Sequence, residues 1–242
     1  MAAGRLAALA LLLAVCLPLH LVTRLFGRSN WPRRFLAAAA RLCGAKVRIA
    51  GRTLQPHTLL ICNHVSWLDI PVLAGATGCA FVSKNELGHG LLHWLADQND
   101  TLYVRRDHRG GAANQAEAIA RKLRQAKPLA LFPEGTTGPG TDLLPFRPAL
   151  FSAVAPPPEG VEVRPVAIDY GEWAPRLGWH EETGIENLLR TLGRWKNIEV
   201  TVRLLDPLPP MTDRKALARA ASEAITDALA SSRAGQRLYA AA

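Results

Sequence analysis

An apolar run opens the chain. Leu6 to Val22 is broken only by Pro18 and His20, long enough to meet a membrane at the short end of what spans one. Beyond residue 44 the pattern changes to short apolar stretches, the signature of buried strands. Strands are predicted at Lys46 to Ala50, Thr58 to Cys62, Cys79 to Ser83, Thr101 to Val104, Leu129 to Phe132, Glu162 to Ile168 and Ile198 to Leu204. The last alternates cleanly, with Ile198, Val200, Val202 and Leu204 on one side. Between them fall helical patterns. Gly111 to Lys127 places Ala116, Ile119, Ala120 and Leu123 on one face, with Pro128 beyond its end. A C-terminal helix from Thr212 turns Leu217, Ala221, Ile225 and Leu229 inward. Alternation of this kind predicts an α/β fold, a mostly parallel seven-stranded sheet with helices on both faces. Residues 155–160, APPPEG, read as a stiff surface connection, and residues 171–197, with Trp173, Trp179 and Trp195, as an irregular segment without an assigned role.

Charge sharpens the reading of the N-terminus. No acidic residue precedes Asp69, whereas Arg5, Arg24, Arg28, Arg33, Arg34, Arg41, Lys46, Arg48 and Arg52 do, and they account for the whole formal excess of +9. Beside an apolar segment such a cluster fits an anionic lipid surface, where each Lys or Arg contributes about 1 kcal/mol, rather than nucleic acid. The run itself reads as a membrane helix, an interfacial helix or a signal peptide. Arg24, Phe26 and Arg28 stand where a cleavage site would need small residues, which disfavours the last. Trp31, Arg33 and Arg34 suit an interface, and an Ala-rich helix near Phe35 to Leu42 is stopped by Gly44. The expected organisation is a membrane-associated helical pair over residues 1–44 and a catalytic domain over residues 45–242. If the pair inserts, its basic flank keeps the remainder on the cytoplasmic face. Cys16, Cys43, Cys62 and Cys79 show neither metal nor redox spacing, which suggests a reducing compartment. His89 and His93 lack the H-E-x-x-H pattern, and the glycine-rich GTTGPG lacks the lysine of a phosphate loop, so no metal or bound cofactor is expected.

The candidate chemistry lies in two stretches. In TLLICNHVSWLDI an apolar strand ends at Asn63 and delivers His64 at its carboxyl end, where open α/β sheets place ligands. Ser66 stands at a helix N-cap position, and Asp69, in the first helical turn, can hold one imidazole nitrogen of His64 so that the other acts as a base. The plain alternative is a capped helix beside an ordinary loop histidine. In ALFPEGTTG a second strand ends at a turn that offers Glu134 to the cleft, positioned to accept a hydrogen bond from a substrate hydroxyl, while Gly135 allows a ligand close to the backbone.

Together these stretches resemble the motifs of the glycerolipid acyltransferases, the family that includes 1-acyl-glycerol-3-phosphate acyltransferase. NHVSWLD is similar to its N-H-x-x-x-x-D motif and FPEGT to its third motif, while Tyr103 to Arg106 and Val163 to Val166 resemble the second and fourth. The resemblance implies His64 as general base and Asp69 as its orienting partner. It also implies Glu134, Gly135 and Thr136 in substrate binding, Arg106 as phosphate anchor and Lys84 as a second cation. It further implies direct transfer from acyl-CoA or an acyl carrier protein, with the oxyanion stabilised by nearby donors and no acyl-enzyme; no G-x-S-x-G elbow occurs. Two departures bear on the acceptor. Arg105 replaces the family's usual Asp, and Thr137 stands where many members carry Arg. The leading expectation is acylation of the lysophospholipid 1-acyl-glycerol 3-phosphate to phosphatidic acid. The alternatives are another lyso-lipid such as lyso-ornithine lipid, a lipid hydrolase, and a catalytically silent lipid-binding protein.

Overall fold

A computed structural model of the 242-residue chain describes residues 1–27, 29–84, 90–104 and 111–240. Its elements run α1 (Ala2–Leu25), α2 (Trp31–Leu42), β1 (Ala45–Gly51), β2 (Thr58–Cys62), α3 (Asp69–Thr77), β3 (Ala80–Lys84), α4 (Leu91–Gln98), β4 (Leu102–Val104), α5 (Gly111–Leu123), β5 (Leu129–Leu131), β6 (Glu162–Asp169), α6 (Ala174–Leu177), α7 (Gly184–Leu192), β7 (Ile198–Leu204) and α8 (Arg214–Ala240). All seven expected strands are present and form one sheet in the order β1-β7-β6-β2-β5-β3-β4. Every neighbouring pair is parallel except β6 with β7.

Strand alternation divides the core into two layers. On one face Leu60 and Cys62 of β2, Ala130 of β5 and Val166 and Ile168 of β6 pack with Val72 and Leu73 of α3 and Ala40 of α2. On the other, Leu59, Ile61, Leu129, Leu131, Val163 and Ala167 pack with Ile119 and Leu123 of α5 and Leu217, Ala221 and Ile225 of α8. The inward positions expected for α8 are therefore the ones it uses, although the helix begins at Arg214 rather than Thr212. The period-two strand β7 buries Ile198, Val200, Val202 and Leu204 against the first layer alone, which is why its apolar residues alternate with polar ones. Strands β2 and β5, covered on both faces, are continuously apolar. Helices α2 and α3 meet closely: a Cβ built on Gly75 would lie 2.6 Å from the Ala37 Cα.

The segment read as irregular contains structure. α6 and α7 occupy it, and α7 starts with a complete capping box between Thr183 and Glu186. That signal, Thr followed three residues later by Glu, was present in the sequence.

Candidate active site

Register sets the site. β2 and β5 pair in parallel with Ile61 beside Leu131, so residues three further along each strand, His64 and Glu134, arrive at the same level. Cys62 pairs with Val166 on the other side. There the Asn63 side chain continues the ladder, its Nδ2 donating to the Ile168 carbonyl at 3.1 Å and its Oδ1 accepting from the Ile168 N–H at 2.8 Å. The loops that follow β2, β5 and β6 thus converge on one edge of the sheet.

His64 Nδ1 lies 2.8 Å from Asp69 Oδ2. Asp69 is fully buried, and the same oxygen accepts the N–H groups of Val65 at 2.7 Å and Ser66 at 2.9 Å. A carboxylate already accepting backbone donors places the proton on Nδ1, leaving Nε2 of His64 with its lone pair. The ring stacks on Phe132, centroids 4.1 Å apart, and its side chain is 18% exposed. Ser66 is not the first cap residue as expected. The regular helix begins at Asp69, and the Ser66 hydroxyl accepts from the Leu68 N–H while Asp69 reaches back to the Ser66 N–H.

The other oxygen of Asp69 has a partner that sequence reading missed. Tyr170, just past β6, donates its phenol to Asp69 Oδ1 at 2.7 Å. Burial, then the Asp69 charge, raises the phenol pKa well above its ordinary value, so it remains a donor. No local pattern marks Tyr170, because the contact exists only once β6 lies beside β2.

Glu134 lines the cleft beside His64 and is also held by the backbone. It is 3% exposed, and both oxygens accept backbone N–H groups, from His64 at 2.6 Å and Leu144 at 2.9 Å. It ties the His64 backbone to the loop after the FPEG turn. Burial pushes its pKa up to about 7. A carboxyl raised above its ordinary value of 4.5 adds most stability below that pH, and the contribution is lost as pH rises through about 7. Thermal stability of the wild type is therefore expected to fall between about pH 5 and 7.5, and Glu134→Gln to flatten that slope. Melting curves across this range that superimpose for the two proteins would refute the assignment.

Gly135 has φ 75° and faces Arg147, whose Nε a Cβ would approach at 3.0 Å; Thr136 is exposed. Lys84 ends β3, but its side chain and the whole of Arg106 lie outside the described residues. Trp179 gives part of the formerly unassigned segment a place. Its backbone N–H donates to the Val65 carbonyl and its own carbonyl accepts the Thr137 hydroxyl, while the Gly138 N–H donates to the His64 carbonyl. Cys62, two residues before His64, is buried, and burial raises its thiol pKa well above the usual value, so it supplies no thiolate.

A cleft opens beside His64, walled by Glu134, Asp142, Asp169, Leu229 and Arg233. A carboxylate-held imidazole with its second nitrogen free at such a cleft can deprotonate a hydroxyl.

Comparison with known proteins is consistent with this chemistry. The profile of the family described as Acyltransferase matches residues 46–169. The chain is 37% identical over 198 residues to the lyso-ornithine lipid O-acyltransferase of Pseudomonas aeruginosa, covering 78% of this chain and 76% of that one. It is 31% identical over 124 residues to the 1-acyl-sn-glycerol-3-phosphate acyltransferase of Neisseria gonorrhoeae, covering 50% and 48%. The fold is similar to the crystal structure of the 1-acyl-sn-glycerophosphate (LPA) acyltransferase, PlsC, of Thermotoga maritima, with TM-score 0.63, 20% identity and coverage of 97% and 98%.

Proposed function

The chain belongs to the acyltransferase family, and from that premise we propose that it esterifies the free hydroxyl of lyso-ornithine lipid, using acyl-CoA or an acyl carrier protein as donor. The observation that carries the chemistry is the His64–Asp69 pair at 2.8 Å, on a histidine that lines the cleft. Nε2 takes the acceptor's hydroxyl proton as its oxygen attacks the thioester carbonyl. The new C–O bond forms, the C–S bond breaks, and the departing thiolate recovers the proton from the imidazolium. No side chain carries the acyl group.

The acceptor differs from the leading sequence expectation of 1-acyl-glycerol 3-phosphate. The lyso-ornithine lipid reading is supported by the higher identity and wider coverage of the Pseudomonas relative. Purified protein offered labelled acyl-CoA with both lyso-lipids in equal amounts should acylate the ornithine lipid at least tenfold faster. Preference for the glycerophosphate acceptor would restore that expectation, fatty acid release without any acceptor would point to hydrolysis, and no turnover to a silent binding protein.

Membrane association follows from α1, whose Leu11, Val15, Leu21, Val22 and Leu25 are exposed. Both ends of this helix are fastened to the body. Arg5 Nη1 donates to the Leu192 carbonyl at 3.1 Å, and at the far end His20 and Arg24 reach Gln98 Oε1 at 3.1 and 2.8 Å. A rod held at two points roughly 22 Å apart on one body lies along a bilayer surface instead of crossing it. The basic N-terminal excess favours the anionic cytoplasmic leaflet. Cysteines introduced at Met1 and at Leu25 should both react with an impermeant thiol reagent added from the protein's side of a vesicle; protection of one end alone would mean that the helix spans.

A further inference from the structure

Two charges in the cleft beside His64 are not used by proton transfer. Asp142, on the loop that follows the FPEG turn, is exposed, and among the described residues no cation pairs with it. Arg233 faces the same cleft from α8, one turn beyond Leu229, which also lines it. Its Nη2 donates to the carbonyl of Thr141 at 3.0 Å, which fixes the guanidinium next to the residue preceding Asp142, and among the described residues it has no carboxylate partner. The other two acidic groups of the wall are already engaged. Asp169 accepts from the Gly171 N–H at 2.9 Å and from Arg203 at 3.4 Å, and Glu134 is held by two backbone donors.

What remains is one free carboxylate and one free guanidinium on the same cleft, near each other in the chain's fold yet not joined as an ion pair. Among the described residues a phosphate monoester would find a single guanidinium there and meet the repulsion of Asp142. A group bearing one ammonium and one carboxylate would satisfy both at once. We propose that Asp142 and Arg233 form a headgroup subsite that selects an acyl acceptor with an amino-acid zwitterion, Asp142 receiving the ammonium and Arg233 the carboxylate. Ornithine acylated on one amine retains one of each charge. The inference rests on the lyso-ornithine lipid reading above and names the residues that impose it.

The test uses the full-length protein and three acceptors: lyso-ornithine lipid, the same lipid with norvaline in place of ornithine, which lacks the ammonium, and the same lipid with its carboxylate converted to a carboxamide. Wild type is expected to favour the first over each of the others by about tenfold or more in kcat/KM, the effect of one charge-assisted hydrogen bond. Asp142→Asn should abolish the preference over the norvaline lipid while keeping that over the carboxamide, and Arg233→Gln should do the reverse. This crossed pattern cannot arise from misfolding or general damage. If wild type acylates the ornithine lipid and either variant keeps its own preference within twofold, the subsite is overturned. If wild type ignores all three lipids but acylates 1-acyl-glycerol 3-phosphate, the acceptor reading falls and the subsite with it.

Discussion

His64→Ala lowers kcat for acyl transfer by about a thousandfold, within the range general-base removal produces. The size follows from the lack of a substitute. Of the other titratable groups on the cleft, Glu134 has both oxygens committed to backbone donors, Asp169 is held by Gly171 and Arg203, and Asp142 belongs to the loop wall. KM for the lipid changes little, because the ring lies flat on Phe132. Added imidazole should recover part of the rate by occupying the vacated space. Steady-state assays with labelled acyl-CoA decide the matter: a variant retaining more than a tenth of wild-type kcat would remove His64 from the chemistry.

Asp69→Asn should cost as much or more, about a thousandfold to ten-thousandfold in kcat, by analogy with the tautomer loss seen when a triad aspartate becomes an amide. Asp69 Oδ2 accepts three donors and Oδ1 a fourth. An amide has one oxygen, so its NH2 must face either the imidazole, reversing the tautomer, or the Tyr170 phenol. A buried donor is left unmatched either way, and stability falls by about 1–3 kcal/mol. Kinetics and thermal unfolding on the same preparation separate the two effects, and a kcat loss no larger than the unfolded fraction explains would refute the orienting role. Tyr170→Phe gives the complementary result. Without the phenol Asp69 Oδ1 loses its only donor and the carboxylate is held less firmly, so kcat should fall by about tenfold. An unchanged kcat would contradict the supporting role of Tyr170.

How much of this site was legible in the sequence depended on the range of each contact. His64 and Asp69 are five residues apart, so strand end, turn and first helical residue bring them together whatever the rest of the chain does. The FPEG turn was equally visible as a strand ending in residues with turn chemistry. Its carboxylate's backbone partners were not legible, because the donors belong to residues 70 positions back and 10 positions on. Tyr170 lies 101 residues from Asp69, and Arg233 is 92 from Thr141; neither stands in a motif. The capping box of α7 is a different kind of miss, since Thr183 and Glu186 are local and readable but were hidden among tryptophans and acids that carry no clear period.

Short apolar stretches separated by helical patterns by themselves determined that this chain forms an α/β sheet of seven strands, and short-range motifs determined that a histidine and a carboxylate meet at a strand end. Tertiary structure alone decided the order of those strands, and hence that Tyr170 supports Asp69, that Asp142 and Arg233 face one cleft, and that α1 is fastened at both ends. The physical reason is that burial periodicity records which side of each element meets the core. Which elements become neighbours is a matter of long-range pairing, whose hydrogen bonds exist only after the chain has closed on itself.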